Sequence, residues 1–186
     1  MLKIELRKLV SCVMASAVLA TTVPANVNAG NIANYYDSDD DSISVNGGGK
    51  LLTHAEHQTY GTTSNNGKVR KVKFYVYAKY SGDKKVTEIK CSWKIGAKMR
   101  SSATMTLNTS AGKAYSFGAS SSSTWQNVES EEKYWLSTNG SKIEYEQSNF
   151  TIAPDSDLKG FMFWITTTAS VKVKGGAKKS TVSCGC

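Results

Sequence analysis

The sequence predicts an all-β domain, an antiparallel β-sandwich or a jelly-roll or Greek-key barrel, following a cleaved N-terminal signal helix. Three observations lead there. Several segments alternate apolar and polar residues with period two, as half-buried strands do. Turn-forming Gly, Asn, Asp and Ser recur between them at short intervals, with just two prolines in 186 residues. No stretch of useful length after the N-terminal segment carries the 3.6-residue apolar period of an amphipathic helix.

The first 29 residues have the signature of an export signal. Lys3, Arg7 and Lys8 precede an apolar run from Leu9 to Ala20, Pro24 follows, and Val27 and Ala29 supply small residues for cleavage after Ala29. A second acceptable site follows Ala25. The apolar run is too short for the roughly 20 residues of a membrane-spanning helix. Cys12 sits in a Leu-Val-Ser-Cys run like a lipobox, but most of the apolar region follows it, so it reads as part of the signal. The expected product is an extracellular protein.

Residues 30–50 are polar, rich in Asp and Gly, and too poor in apolar groups to fold alone; they predict a flexible leader. A domain over 51–186 is expected to follow. Leu51 to Tyr60 suits a short strand or a helical turn. Val69 to Tyr80 is an alternating strand, with Val72, Phe74, Val76 and Ala78 on one face. Ser81-Gly82-Asp83 turns the chain, and Val86 to Ala97 alternates again with Ile89, Cys91, Trp93 and Ile95 on one face. The two together predict a long β-hairpin. A second hairpin is expected from Ala103, Met105 and Leu107, a turn at 110–113, and Tyr115, Phe117 and Ala119. Shorter strands are expected at Tyr134 to Leu136, Lys142 to Glu146 and Asn149 to Ile152, with a turn at Asn139-Gly140. Phe161 to Val173 is apolar on both faces, the pattern of a central strand. The tail from Gly175 is basic and glycine-rich as far as Val182.

Charge is uneven. The chain carries a formal net +8; the signal holds three cations and one anion, leaving +6. Asp37, Asp39, Asp40 and Asp41 cluster near its start, whereas from Lys50 onward 20 Lys and Arg face 10 Asp and Glu. The first strand interleaves this charge with aromatic rings: Lys71, Lys73, Tyr75, Tyr77 and Lys79 share its polar face, and Lys90 and Lys94 are placed to extend it. Such a face suits an anionic cell surface, a glycan or a cell-wall polymer, with membrane contact possible and nucleic acid disfavoured by an extracellular setting. A solvated sheet face guarded by lysines against aggregation shows the same pattern.

Catalytic and metal chemistry find little support. His54 and His57 lack the third ligand that zinc needs, and H-E-x-x-H is absent. Asp37, Asp39 and Asp41 have the spacing of calcium-loop ligands, but Ser42 and Gly48 stand where glycine and a bidentate glutamate belong. No nucleophile elbow or phosphate loop is present, and no cofactor is implied. Among Cys91, Cys184 and Cys186, an oxidising compartment favours a bridge from Cys91 to one tail cysteine, leaving one thiol free or forming a disulfide-linked dimer. The leading expectation is a non-enzymatic interaction protein. The alternative is a small bacteriocin or pore-forming toxin that inserts the Ser/Thr-rich hairpin 99–122, whose arms match the roughly 9–11 residues of a membrane-crossing strand.

Overall fold

A computed structural model describes residues 35–61, 69–99, 104–108, 114–118, 125–140, 142–154 and 162–186. The expected signal peptide lies outside them. Among the described residues, eleven strands make two antiparallel sheets. In chain order they are β1 (Tyr36–Ser44), β2 (Lys50–Gly61), β3 (Val69–Ser81), β4 (Val86–Met99), β5 (Thr104–Asn108), β6 (Ala114–Gly118), β7 (Gln126–Glu129), β8 (Lys133–Ser137), β9 (Glu144–Pro154), β10 (Phe163–Val173) and β11 (Ser180–Gly185). The six-stranded sheet runs β1-β2-β3-β9-β5-β6; the second runs β11-β10-β4, with β7 and β8 sharing the far edge of β4.

The two sheets face each other across one core. Alternation on β2 and β3 turns Leu51, Ala55, Val72, Phe74, Val76, Ala78 and Tyr80 inward, and β4 and β10 answer with Ile89, Cys91, Ile95, Met99, Phe163, Ile165, Ala169 and Val171. Each fully buried aliphatic or aromatic side chain contributes about 1.5–3 kcal/mol. One open side is closed by a stack of three rings. Tyr145 of β9 lies 5.9 Å from Trp93 and 4.7 Å from Trp135, nearly parallel to both. Where β7 gives way to β8, Ser130 bridges the gap: its N–H donates to Ile95 O, and its hydroxyl accepts from Ile95 N.

Three expectations change. The acidic leader is a strand for much of its length: β1 pairs with β2 from Tyr36 to Ser44. It needs little apolar content because the ladder satisfies its backbone, and its aspartates suit an exposed edge, where charge discourages pairing with other chains. The expected hairpin of β3 and β4 does not form. The strands are in different sheets, β3 between β2 and β9 and β4 beside β10, so 82–85 is a corner crossing between layers. Cys91, Cys184 and Cys186 are free thiols. Cys91 pairs in register with Ala169 on β10, and Cys184 with Thr167 on its other side. Two strand spacings, roughly 9–10 Å, thus separate β4 from β11, beyond the Cα separation of about 4.4–6.8 Å that a disulfide accepts.

Of the other elements, β7 and β11 were not expected as strands. The ambiguous 51–60 segment is a strand, the β5–β6 hairpin forms, and β10 is central. The two short strands expected near 142–152 are one strand, β9. At the β1–β2 turn, Gly49 has φ +90°, and an added methyl would meet the Tyr80 ring at 2.5 Å. Tyr80 donates its hydroxyl proton to Gly48 O at 2.9 Å, locking this turn to β3.

Candidate functional site

The outward faces of β1, β2, β3 and β9 form one continuous surface. Because side chains alternate, β2 presents His54, Glu56, Gln58 and Tyr60, while β3 presents Lys71, Lys73, Tyr75, Tyr77 and Lys79. Register sets the neighbours. Lys73 stands opposite Gln58, Tyr75 opposite Glu56 and Tyr77 opposite His54; β1 adds Tyr36 beside Gln58 and Asp40 beside His54. From the other side β9 sets Glu146 against Tyr77 and Glu144 against Lys79.

These neighbours convert an apparently cationic stripe into a mixed one. Lys79 Nζ lies 3.2 Å from Glu144, and that hydrogen bond leads the upward shift of its pKa. Lys73 Nζ sits 5.2 Å from the centre of the Tyr60 ring, a cation–π distance. His54 is held between Asp40 at 2.8 Å and Glu56 at 3.6 Å, with Tyr75 edge-on at 5.4 Å. Tyr36 donates to Glu56 at 3.2 Å, and Tyr60 donates to Gln58 at 2.5 Å. Burial, then the neighbouring Glu146, raises the Tyr75 pKa. On this face Asp40, Glu56, Glu144 and Glu146 match Lys50, Lys71, Lys73 and Lys79 in number. Glu56, Gln58, Tyr60, Lys73 and Tyr75 line a shallow depression at its centre.

Lys90 and Lys94 are elsewhere. They point outward from β4, on the opposite side of the sandwich, about one sheet spacing of roughly 10 Å away. Lys90 pairs with Glu132 at 2.8 Å and lies 4.6 Å over the Tyr134 ring; Lys94 is 3.8 Å from Glu129. The first-strand residues of the expected site are therefore brought together and these two are not. Sequence reading also missed Tyr36, Glu56, Gln58 and Tyr60. For Glu56, Gln58 and Tyr60 the period-two pattern of Leu51 to Tyr60 was the available signal, obscured by its reading as strand or helix.

The histidines point to opposite faces, as three-residue spacing on a strand requires. His57 faces inward beneath β1, and burial lowers its pKa to about 4. Its Nδ1 lies 3.5 Å from Cys186 Sγ, a contact across 129 residues of sequence that no local spacing announces. Burial raises Cys186 to about 12. At neutral pH a neutral imidazole thus faces a neutral thiol, the opposite of the thiolate pair that nucleophilic chemistry uses. Cys91 and Cys184 are likewise raised to about 12 by burial. No protein-family model matches the chain, and no curated protein matches it in sequence.

Proposed function

We propose that this is a non-enzymatic binding module whose six-stranded sheet takes a glycan chain on its outer face. The observation that carries the reading is the arrangement of Tyr36, Tyr60, Tyr75 and Tyr77 on three adjacent strands around Glu56, Gln58 and Lys73. A sugar ring offers apolar C–H faces and a rim of hydroxyls. Aromatic rings with polar tips match the faces, and a carboxylate, an amide and an ammonium group match the rim. Four carboxylates offset the four lysines of the same face, which favours an uncharged glycan over a polyanion there.

The sheet scaffold supports this use, since groups on β2 and β3 are held by a long ladder rather than by loops. The test is retention on insoluble polysaccharides such as chitin, cellulose and peptidoglycan. The parent should be retained on at least one. Tyr60→Ala with Tyr75→Ala should lose about tenfold or more in affinity, given about 0.5–1.5 kcal/mol for each aromatic contact. Lys90→Gln with Lys94→Gln, on the opposite side, should bind as the parent does. Equal retention of the tyrosine double variant, or no retention of the parent on any polymer, would remove the reading.

A further inference from the structure

Among the described residues, six lysines that make no ion pair lie together at one end of the sandwich, where four loops meet. They are the turn 45–49, the corner 82–85, the described residues 138–140 and 142–143, and the turn 174–179. Register places them together: Lys50 is opposite Ser81, Ile89 opposite Ser137, Lys79 opposite Glu144 and Val86 opposite Val173. The loops also touch. Ala177 N donates to Asn46 Oδ1 at 2.9 Å, and Lys174 N donates to Lys85 O at 2.8 Å. A methyl added to Gly47 would lie 3.0 Å from Gly176 Cα, and one on Gly140 would lie 2.4 Å from Val86 O.

Lys50, Lys84, Lys85, Lys142, Lys174 and Lys178 are all exposed on this end, and among the described residues none of them makes an ion pair. Lys179 is engaged by Glu88. Asp83 is the one carboxylate among the described residues of these loops. Of the five lysines expected to bind, Lys79, Lys90 and Lys94 are answered by glutamates and Lys73 lies over the Tyr60 ring, while Lys71 is exposed. The loop end thus sets six unpaired lysines against Asp83, whereas the tyrosine face mixes both signs.

We infer that this loop end docks on the anionic headgroups of a lipid bilayer, independently of the glycan reading. The cations spread in two dimensions. Lys50 belongs to one sheet, Lys174 and Lys178 to the other, with Lys84 and Lys85 at the corner between them. Sheets lie about 10 Å apart, so a planar surface can meet all of them at once, whereas a single polymer strand can follow one row. The loops offer Lys rather than Arg and, among their described residues, no aromatic ring on which a base could stack. Ile143, 48 % exposed beside Lys142, is an apolar group at the level of the lysine stems.

The experiment is sedimentation of the protein, purified in the form the cell accumulates, with vesicles of phosphatidylcholine alone or mixed equally with phosphatidylglycerol. Binding should need the anionic lipid and should weaken as sodium chloride is raised from about 0.05 to 0.5 M. The variant carrying Lys84→Gln, Lys85→Gln, Lys174→Gln and Lys178→Gln should partition about 600-fold less, since each lysine near such a surface is worth roughly a fivefold factor. Tyr60→Ala with Tyr75→Ala should bind vesicles as the parent does, and the lysine variant should keep any glycan retention, so the two readings fail separately. Vesicle binding unchanged in the lysine variant would overturn the inference. So would equal binding to neutral vesicles, or binding of dissolved polyphosphate or DNA without binding of vesicles.

Discussion

Lowering the pH from about 7 to 4 places a proton on His57 in the unfolded chain before it does so in the folded one. His57 is 1 % exposed and packs near Tyr35 and Phe74, with ring centres 5.5 and 6.3 Å away, and its Nε2 has no hydrogen-bond partner among the described residues. Burial lowers its pKa from 6.5 to about 4, against a smaller opposing pull from Asp37. The folded state thus binds fewer protons in this window, and stability falls as pH falls from 6.5 towards 4. That change in pKa corresponds to about 3 kcal/mol once the fall is complete. With a urea slope of about 2 kcal/mol per M, the midpoint should drop by about 1.5 M from this group. Carboxylates titrate nearby, so the informative quantity is the difference between the parent and His57→Leu, which keeps an apolar filling and removes the titration. Urea unfolding followed by tryptophan fluorescence at pH 7, 6, 5 and 4 should show the parent losing about 3 kcal/mol more than the variant. Parallel curves for the two proteins would refute the burial argument.

Two further predictions concern packing and the thiols. Gly96 of β4 faces Trp164 of β10, and an added methyl would meet the indole at 2.0–2.3 Å. Gly96→Ala should therefore cost about 1–3 kcal/mol in chemical unfolding, and an unchanged midpoint would contradict the placement of Trp164. Cys91 is buried, with its pKa raised to about 12, so the unfolded chain ionises first above pH 9 and stability should fall as pH rises from 9 towards 12. Cys91→Ala should delay this alkaline loss, and peptide mapping without reductant should find Cys91, Cys184 and Cys186 unbridged within the chain.

The sequence read strands and their inner faces well because both depend on local alternation. Val72, Phe74, Val76 and Ala78 could bury together in no other regular conformation, and Ile89, Cys91 and Ile95 likewise. Which strand lies beside which is another matter, because the backbone groups that pair are the same in every residue. The segment 82–85 could serve a hairpin or a corner, and only the partners of β3 and β4 in the finished sheets decide between them. The acidic stretch misled for a related reason. Edge strands take their stability from a neighbour's ladder, so β1 carries aspartates where a self-sufficient segment would need apolar groups. The lysine stripe was legible on β3, but its answering carboxylates lie up to about 70 residues away on β1, β2 and β9 and arrive through register alone. The cationic end was equally hidden, its lysines scattered from Lys50 to Lys178 and joined by the return of each strand to the same side.

The claim that the tyrosine face is the binding surface is tested most directly by nuclear magnetic resonance with ring-labelled tyrosine. A soluble oligosaccharide from the retained polymer would be titrated into the parent protein. Tyr36, Tyr60, Tyr75 and Tyr77 should shift together on one saturation curve, while Tyr80, buried at 1 % exposure, and Tyr134, on the opposite sheet, should stay in place. Shifts confined to Tyr134, or none at all while the sugar binds, would contradict the account.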